Sequence, residues 1–466
     1  MCGFVGFTNK IDNSNQVLKA MMDKIKHRGP DAEGKYIDAD IALGHRRLSI
    51  IDVSESGNQP LYSEDGNLVL VFNGEIYNYQ DIRKKLVEAG YHFATQTDSE
   101  VLIYGYQEYG ADLLNQLRGM FSFVIWDKKK KKLFGARDFF GIKPLYYAQM
   151  GESFLFGSEI KSFLCHPHFQ KALNEDALEN YLTFQYSPCA ETFFRGVYKL
   201  PPAHYFTYEN GKLDIQRYWS IHFQADEKPT LDDWVNRISD TFHDSVQAHK
   251  IADVEVGSFL SSGVDSSYVA AIADVDKTFT VGFGKEERYN EIGWAKGFSE
   301  AIGKKNYSKV IEPEEYWDHL SMIQYHMDEP LADPAAIALY FVCNLASQSL
   351  KVVLSGEGAD LHREHLVVVA FRSGELLNAA VESHALAGRD DDRRSVRSAF
   401  VGPHVVHVVR RRDRGFEYDP VDVAVERLDG TFPCDALRRC REGGQHGCER
   451  QQTDANQFVH GRKTLV

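Results

Sequence analysis

The chain has 466 residues, 43 % of them hydrophobic and 26 % charged, with a formal net charge of −14. It is long enough for two or three separate cores, and its composition excludes collagen, extended coiled coil and wholesale disorder. The acidic balance excludes a protein built to coat nucleic acid or an anionic membrane, because neutralising phosphates requires an excess of Lys and Arg.

That average conceals a break. Residues 1–360 carry 26 Lys and 10 Arg, whereas residues 361–466 carry one Lys and 16 Arg and contain no Ile, Met or Trp. The chain opens without a basic segment leading into a long apolar run, and no stretch is apolar enough to span a bilayer, so the expected location is cytoplasmic, with no membrane partner. Seven scattered cysteines without a C-x-x-C pair indicate neither a disulfide framework nor a zinc module.

In chain order, residues 68–72, 121–126, 133–136 and 145–148 are β-rich runs bounded by glycine or charged turns. Two helices interrupt them. One runs between Asn78 as N-cap and Gly90 as C′, with Ile82, Leu86 and Val87 as its apolar stripe; the other spans about 99–109. The lysine run 128–132 reads as a solvated hairpin turn. This pattern predicts an α+β domain with stacked antiparallel sheets.

After about residue 225 strands and helices alternate. A helix near 234–248 precedes the strand run 254–260, a helix from Ser266, a strand 278–282, a helix from Glu291 and a strand near 307–310. Two further helices and the strand 351–354 close the series. Alternation predicts a parallel sheet with helices on both faces and ligands at the carboxyl ends of its strands. The tail from Leu361 shows no sustained periodicity and does not fit this domain. Within it Cys434, Cys440, His446 and Cys448 match no zinc spacing, and the run 410–412 reads as solvated rather than as a nucleic-acid contact.

Two motif sets carry chemistry. Cys2 follows Met1, and removal of Met1 would leave a thiol and a free α-amine on one residue, the amine titrating near neutrality and able to act as base for its own nucleophile. Taken alone, Cys2 reads sooner as an ordinary buried thiol near a terminus than as a nucleophile. It is followed in order by His27-Arg28-Gly29-Pro30-Asp31, Gly44-His45-Arg46-Arg47-Leu48-Ser49-Ile50, Phe72-Asn73-Gly74-Glu75-Ile76-Tyr77-Asn78 and Thr97-Asp98-Ser99-Glu100. Over roughly residues 2–210 this set resembles the class II glutamine amidotransferase domain, an N-terminal-nucleophile hydrolase fold. The resemblance implies that Cys2 attacks the glutamine side-chain amide and that Asn73 with the Gly74 N–H stabilises the oxyanion. It further implies that Arg47 grips the substrate carboxylate and that Glu75 and Asp98 sit by its ammonium group. His27 and Arg28 read as structural supports.

The second set begins with Ser261-Ser262-Gly263-Val264-Asp265-Ser266-Ser267, after a strand and opening a helix, where backbone N–H groups form an anion site. It is not a Walker-type loop. It resembles the pyrophosphate loop of ATP pyrophosphatases, with Ser262 in place of the usual first glycine. With residues 279–283, Asp328-Glu329-Pro330 and residues 353–360, all expected at one strand-end cleft, it is similar to the synthetase domain of glutamine-dependent asparagine synthetases. That similarity implies ATP contacts at Leu260, Ser261, Gly263, Asp265, Ser266, Val281, Ser355 and Gly356. It also implies Mg²⁺ on Asp265 and Asp360, and Glu357 as base for the attacking ammonia.

The expected architecture is therefore residues 2–210 as amidotransferase, 225–360 as an incomplete ATP pyrophosphatase-type domain, and 361–466 as an atypical tail. The expected substrates are glutamine, aspartate and ATP, and a homodimer is compatible with this reading. Ammonia from Cys2 would cross between domains by an apolar path, and the 137–147 segment, similar to a family motif at the domain junction, is a candidate part of it. The resemblance stops at residue 360, where the composition also changes, which points to a shifted reading frame, fusion or recombination there. Competing expectations are a glutaminase with an inactive synthetase half, a related amide-forming ligase, and a non-catalytic remnant.

Overall fold

The computed structural model describes residues 2–9, 11–222, 228–284, 290–330 and 333–356, together with four strands in the tail. Calls on Glu357, Asp360, the compositional seam and the tail cysteines lie outside the described residues.

The amino-terminal unit is two six-stranded antiparallel sheets packed face to face. One contains β1 (Gly3–Thr8), β2 (Ala32–Ile37), β3 (Ile41–Arg47), β8 (Tyr146–Met150), β9 (Ser153–Gly157) and β10 (Val197–Lys199), in the order 10-8-9-1-3-2. The other contains β4 (Leu61–Tyr62), β5 (Leu68–Ile76), β6 (Gly119–Asp127), β7 (Lys132–Arg137), β11 (His204–Glu209) and β12 (Lys212–Arg217), in the order 12-11-7-6-5-4. Alternating side chains of both sheets, among them Phe4, Leu43, Val71, Val124, Phe154 and Phe206, fill the space between.

The outer faces are covered by helices. Helix α1 (Ser14–Lys24) places Leu18, Met21 and Met22 against Val5 and Phe7, while α2 (Tyr79–Glu88) and α3 (Glu100–Tyr109) cover the other sheet. The result is the layered N-terminal-nucleophile hydrolase arrangement. Two helices were expected here, and α1 and α4 (Glu175–Phe184) are additional. In α2, Ile82 and Leu86 are buried as expected, but Val87 is 53 % exposed, being 100° further around the helix than Leu86. The lysine run forms the β6–β7 turn, with Lys129, Lys130 and Lys131 paired to Asp65, Asp127 and Asp40.

In the carboxyl-terminal unit, β13 (Val256–Phe259), β14 (Lys277–Phe283), β15 (Lys305–Ile311) and β16 (Val352–Leu354) form a parallel sheet in the order 15-14-13-16. Its helices are α5 (Leu231–His249), α6 (Val264–Ala273), α7 (Ile292–Ala301), α8 (Pro313–Met327) and α9 (Ala335–Ser347). Helix α9 packs Leu339, Val342 and Cys343 on the face carrying Phe259, Phe279 and Val353. The opposite face meets α5 and α6 through Val246, Val269 and Leu354, and α7 through the Thr278–Ser299 hydroxyl pair at 2.8 Å. Helices therefore lie on both faces, as the alternation predicted. One strand of the tail does join this sheet, contrary to expectation: β17 (Val368–Ala370) pairs antiparallel with β16. Strands β18 (Val396–Val401), β19 (His404–Val409) and β20 (Asp422–Arg427) form a separate three-stranded sheet.

The two units share an apolar cluster in which Tyr77, Met120 and Ile142 meet Phe259, Phe279 and Leu339. Around it, Lys351 pairs with Asp31 at 2.7 Å, Arg118 with Asp244 at 2.6 Å, and the Asp52 N–H donates to Asp253 Oδ2 at 2.7 Å.

Candidate active site

Cys2 precedes β1, a fully buried strand hydrogen-bonded between β3 and β9, so the nucleophile candidate stands at the end of a rigid element. Gly6 anchors that strand, since a Cβ there would lie 2.5 Å from the Phe156 ring. The Cys2 Sγ accepts the Leu48 N–H at 3.4 Å and donates to the Leu48 carbonyl at 3.6 Å.

The pocket beside the thiol is lined by Arg47, Gly74, Glu75 and Asp98, together with Met120 and Lys143. Arg47 leaves the end of β3 into the 50–58 loop, where its guanidinium donates to the Ser54 carbonyl at 2.6 Å, to Asn58 Oδ1 at 3.0 Å and to the carbonyls of Ile51 and Asp52. Its described partners include no carboxylate. Gly57 lets this cradle close, because a Cβ there would lie 2.2 Å from the guanidinium. Asp98 accepts the Ile76 N–H at 2.9 Å, and burial pushes its carboxyl up to about 6. Burial also raises Glu75, against the lowering effect of the Lys143 ammonium. One pocket thus holds a thiol, a clamped guanidinium and two desolvated carboxylates, a set complementary to an α-amino acid that carries both charges.

The predicted set is brought together with one difference. Asn73 does not line the pocket; its side chain is fully buried beside it, between the lining residues Phe72 and Gly74. Both amide atoms of Asn73 lack a hydrogen-bond partner among the described residues. A buried unsatisfied amide costs stability unless a ligand completes it, which fits a donor reserved for an oxyanion. Gly74 is required where it stands, since a Cβ would lie 2.2 Å from the Met120 carbonyl.

Lys143 was not anticipated. It is fully buried at the pocket, a placement that its position in the 139–145 run does not announce. Asp138 shapes that run by accepting the N–H groups of Phe140, Ile142 and Lys143 at 2.9–3.1 Å.

At the second site, Leu260, Ser261, Gly263, Asp265 and Ser266 form the turn from β13 into α6, with Val281 near the end of β14 and Ser355 and Gly356 just past β16. All these residues stand at the carboxyl end of one parallel sheet. The turn is closed by its own hydroxyls, with Ser261 Oγ 2.8 Å from Ser266 Oγ and accepting the Gly263 N–H at 3.1 Å. Gly356 lets the β16 end approach the start of α6, because a Cβ would lie 2.5 Å from the Ser266 nitrogen. The Ser262 N–H donates to Glu291 Oε2 at 3.0 Å, so a carboxylate already sits on this loop. Asp328 and Glu329 are not in this cleft, contrary to expectation. They face the amino-terminal unit, where Glu329 accepts the Phe193 N–H at 3.0 Å and pairs with Lys199 at 2.9 Å. Their motif lies at the end of α8 rather than after a strand, which is why it points away from the strand ends.

The glutamine amidotransferase domain family matches residues 1–219, the unit that holds this pocket. The asparagine synthase family matches residues 237–362, stopping at the compositional seam. The chain is 44 % identical over 370 residues to glutamine-hydrolyzing asparagine synthetase 1 of Bacillus subtilis, a match covering 77 % of this chain and 58 % of that protein. A Methanocaldococcus jannaschii relative named for the same synthetase is 32 % identical, with 77 % and 74 % covered. The amidase chry2 of Gibberella zeae is 31 % identical, with 74 % and 54 % covered. The chain belongs to the glutamine-hydrolysing asparagine synthetase family. It spans about three-fifths of the length of the Bacillus subtilis relative. No described helix is long and apolar enough to cross a membrane.

Proposed function

We propose that residues 2–210 hydrolyse glutamine at Cys2 and that residues 225–360 use the ammonia, with ATP and aspartate, to make asparagine. The observation that carries this reading is the single pocket holding the Cys2 thiol, Arg47, Glu75 and Asp98.

Arg47 receives the glutamine carboxylate, and Asp98 with Glu75 receives the ammonium, whose charge favours the ionised carboxylates that burial alone disfavours. The Cys2 thiol then attacks the side-chain amide carbon. Its α-amine takes the thiol proton and returns it to the departing ammonia, while Asn73 and the Gly74 N–H hold the oxyanion. Water releases glutamate from the thioester. Ammonia stays uncharged only away from bulk water, and the apolar cluster running from Met120 at the pocket to Phe259 and Phe279 of the second sheet supports a path between the sites.

In the second unit the aspartate side-chain carboxylate attacks the α-phosphorus of ATP, giving β-aspartyl-AMP and pyrophosphate, and ammonia displaces AMP with Glu357 as base. The loop from Ser261 to Ser266 would hold the pyrophosphate, and its N–H groups at the start of α6 support that role. Asp265 in the first turn of α6 and Asp360 would hold Mg²⁺, two hard oxygen donors beside phosphate being the set this ion takes, and the ion would neutralise charge on the phosphates.

A second reading is a competent glutaminase with an inactive synthetase half, favoured by the family match stopping at residue 362. Measuring AMP formation on the purified chain, first with glutamine and then with ammonium, separates the two. AMP with both donors supports synthesis. Glutamate release without aspartate-dependent AMP or pyrophosphate leaves only the glutaminase, and AMP that forms better with another acid in place of aspartate identifies a related ligase.

A further inference from the structure

The carbonyl oxygen of Cys2 accepts a hydrogen bond from Arg28 Nε at 3.1 Å. Arg28 is itself tied to Glu159, its Nη1 lying 2.9 Å from Oε1, the same oxygen that His27 Nε2 meets at 2.8 Å. The other Glu159 oxygen meets Lys161 Nζ at 2.5 Å. Lys161 continues to Asp328 Oδ1 at 2.9 Å, and Asp328 accepts the N–H groups of Ile160 at 2.6 Å and of Lys161 at 3.2 Å. The side chains of Arg28, Glu159, Lys161 and Asp328 are each only 1–3 % exposed. Three of them belong to the amidotransferase domain. Asp328 alone comes from the second unit, at the end of α8, where the neighbouring His326 ring packs edge-on against His27 at 4.5 Å.

Charge balance shows what Asp328 contributes. Arg28 and Lys161 bring two positive charges into a site closed to water, and Glu159 supplies one negative charge. An uncompensated buried charge is strongly unfavourable, and Asp328 removes it. Without Asp328, Lys161 would have Glu159 as its one carboxylate and would compete for it with Arg28.

The state of Arg28 matters because of how an N-terminal cysteine is tethered. Once Met1 is removed, Cys2 is joined to the chain only through its own carbonyl carbon. The Arg28 bond to the carbonyl oxygen holds the plane of that carbonyl, and with it the position of the Cα from which both the α-amine and the thiol project.

We propose that Glu159, Lys161 and Asp328 are positioning residues for the Cys2 nucleophile, acting through Arg28, so that the synthetase domain completes the geometry of glutamine hydrolysis from across the domain boundary. This rests on the reading of Cys2 as the glutaminase nucleophile.

Asp328→Asn removes the charge and keeps one oxygen, which can replace Oδ2 as acceptor of the Ile160 N–H while the weaker bond from the Lys161 N–H to Oδ1 is lost. In the full chain, kcat for glutamate release is expected to fall about ten-fold or more while the glutamine KM stays within about two-fold, because misplacing the nucleophile affects the chemical step and leaves Arg47 and Asp98 untouched. The double variant Lys161→Met/Asp328→Asn restores neutrality and is expected to return kcat to within about three-fold of the parent chain. Residues serving folding alone would change the melting temperature and leave kcat unchanged. If Asp328→Asn does not fold, Lys161→Met, which strands Asp328, is compared with the double variant in the same way. An unchanged kcat in the single variant, or a double variant no faster than the single, overturns the inference and leaves the glutaminase reading intact. A parent chain that releases no more glutamate than Cys2→Ala overturns both.

Discussion

Arg47, Glu75 and Asp98 are each 4–5 % exposed and line a pocket formed where β3 and β5 end, whereas Ser261, Ser262, Gly263 and Asp265 stand exposed at the rim of the second sheet. The contrast follows from what each site is proposed to hold. Glutamine is small and carries one charge of each sign, so recognition needs charges fixed in advance, and the cost of desolvating them is met during folding. A polyphosphate brings its own dense charge, and a turn of backbone N–H groups at a helix start suffices to receive it. Buried fixed charges make the first site rigid and legible. On the proposed function, the second is completed by its ligand and by Glu357 and Asp360.

The sharpest way to separate the two sites is Cys2→Ala. Glutamine-dependent turnover should fall about 10³-fold or more, with ammonia-dependent AMP formation within about two-fold of the parent chain. Loss of both would mean the sites are not separable. Next is Asn73→Ala: if its unpaired amide serves the oxyanion, kcat for glutamate release should drop about 10²-fold, with little change in thermal stability because no internal hydrogen bond is lost. Arg47→Lys should raise the glutamine KM about ten-fold or more at nearly constant kcat, since one ammonium cannot reproduce the guanidinium fork.

A smaller effect concerns pH. Asp98 is ionised above about 6 and neutral below it, and only the ionised form attracts the glutamine ammonium, so kcat/KM should decline as pH falls through about 6. Asp98→Asn should lower kcat/KM and abolish that limb; a limb that survives in Asp98→Asn would assign it to another group. The smallest effect tests the second unit alone. Thr230 caps α5 by accepting the Asp233 N–H at 3.2 Å, and Thr230→Ala should cost about 1 kcal/mol, read as a melting-temperature loss of about 1–2 °C with glutaminase kcat unchanged.

The parallel sheet was legible because its strands are apolar runs separated by helices of ordinary length, and the strand-end turn at Ser261 follows from that order. In the first unit α4 went unread although Ala177, Leu178, Tyr181 and Leu182 recur at helical spacing after Asn174; the structure buries Ala177 and Asn180 and leaves Leu178 and Leu182 37 % and 75 % exposed, so the stripe in the sequence is not the face that packs. Helix α1 carries a readable stripe of Leu18, Met21 and Met22, but its N-cap Asn13 is in a left-handed conformation and makes no side-chain cap bond. The pocket residues were legible from ordered motifs. The burial of Asn73 beside the pocket, the presence of Lys143 and the turning of Asp328 toward Lys161 were not, because each depends on packing between segments far apart in sequence.

The apolar cluster of Tyr77, Met120, Ile142, Phe259, Phe279 and Leu339 has one further consequence, for what happens if the halves are made apart. It is a core with two owners. A chain cut near residues 218–230 would leave each piece with part of that core facing solvent, a contiguous greasy face of the kind that drives self-association. The two halves should therefore melt as one cooperative unit, and each should be sparingly soluble without the other.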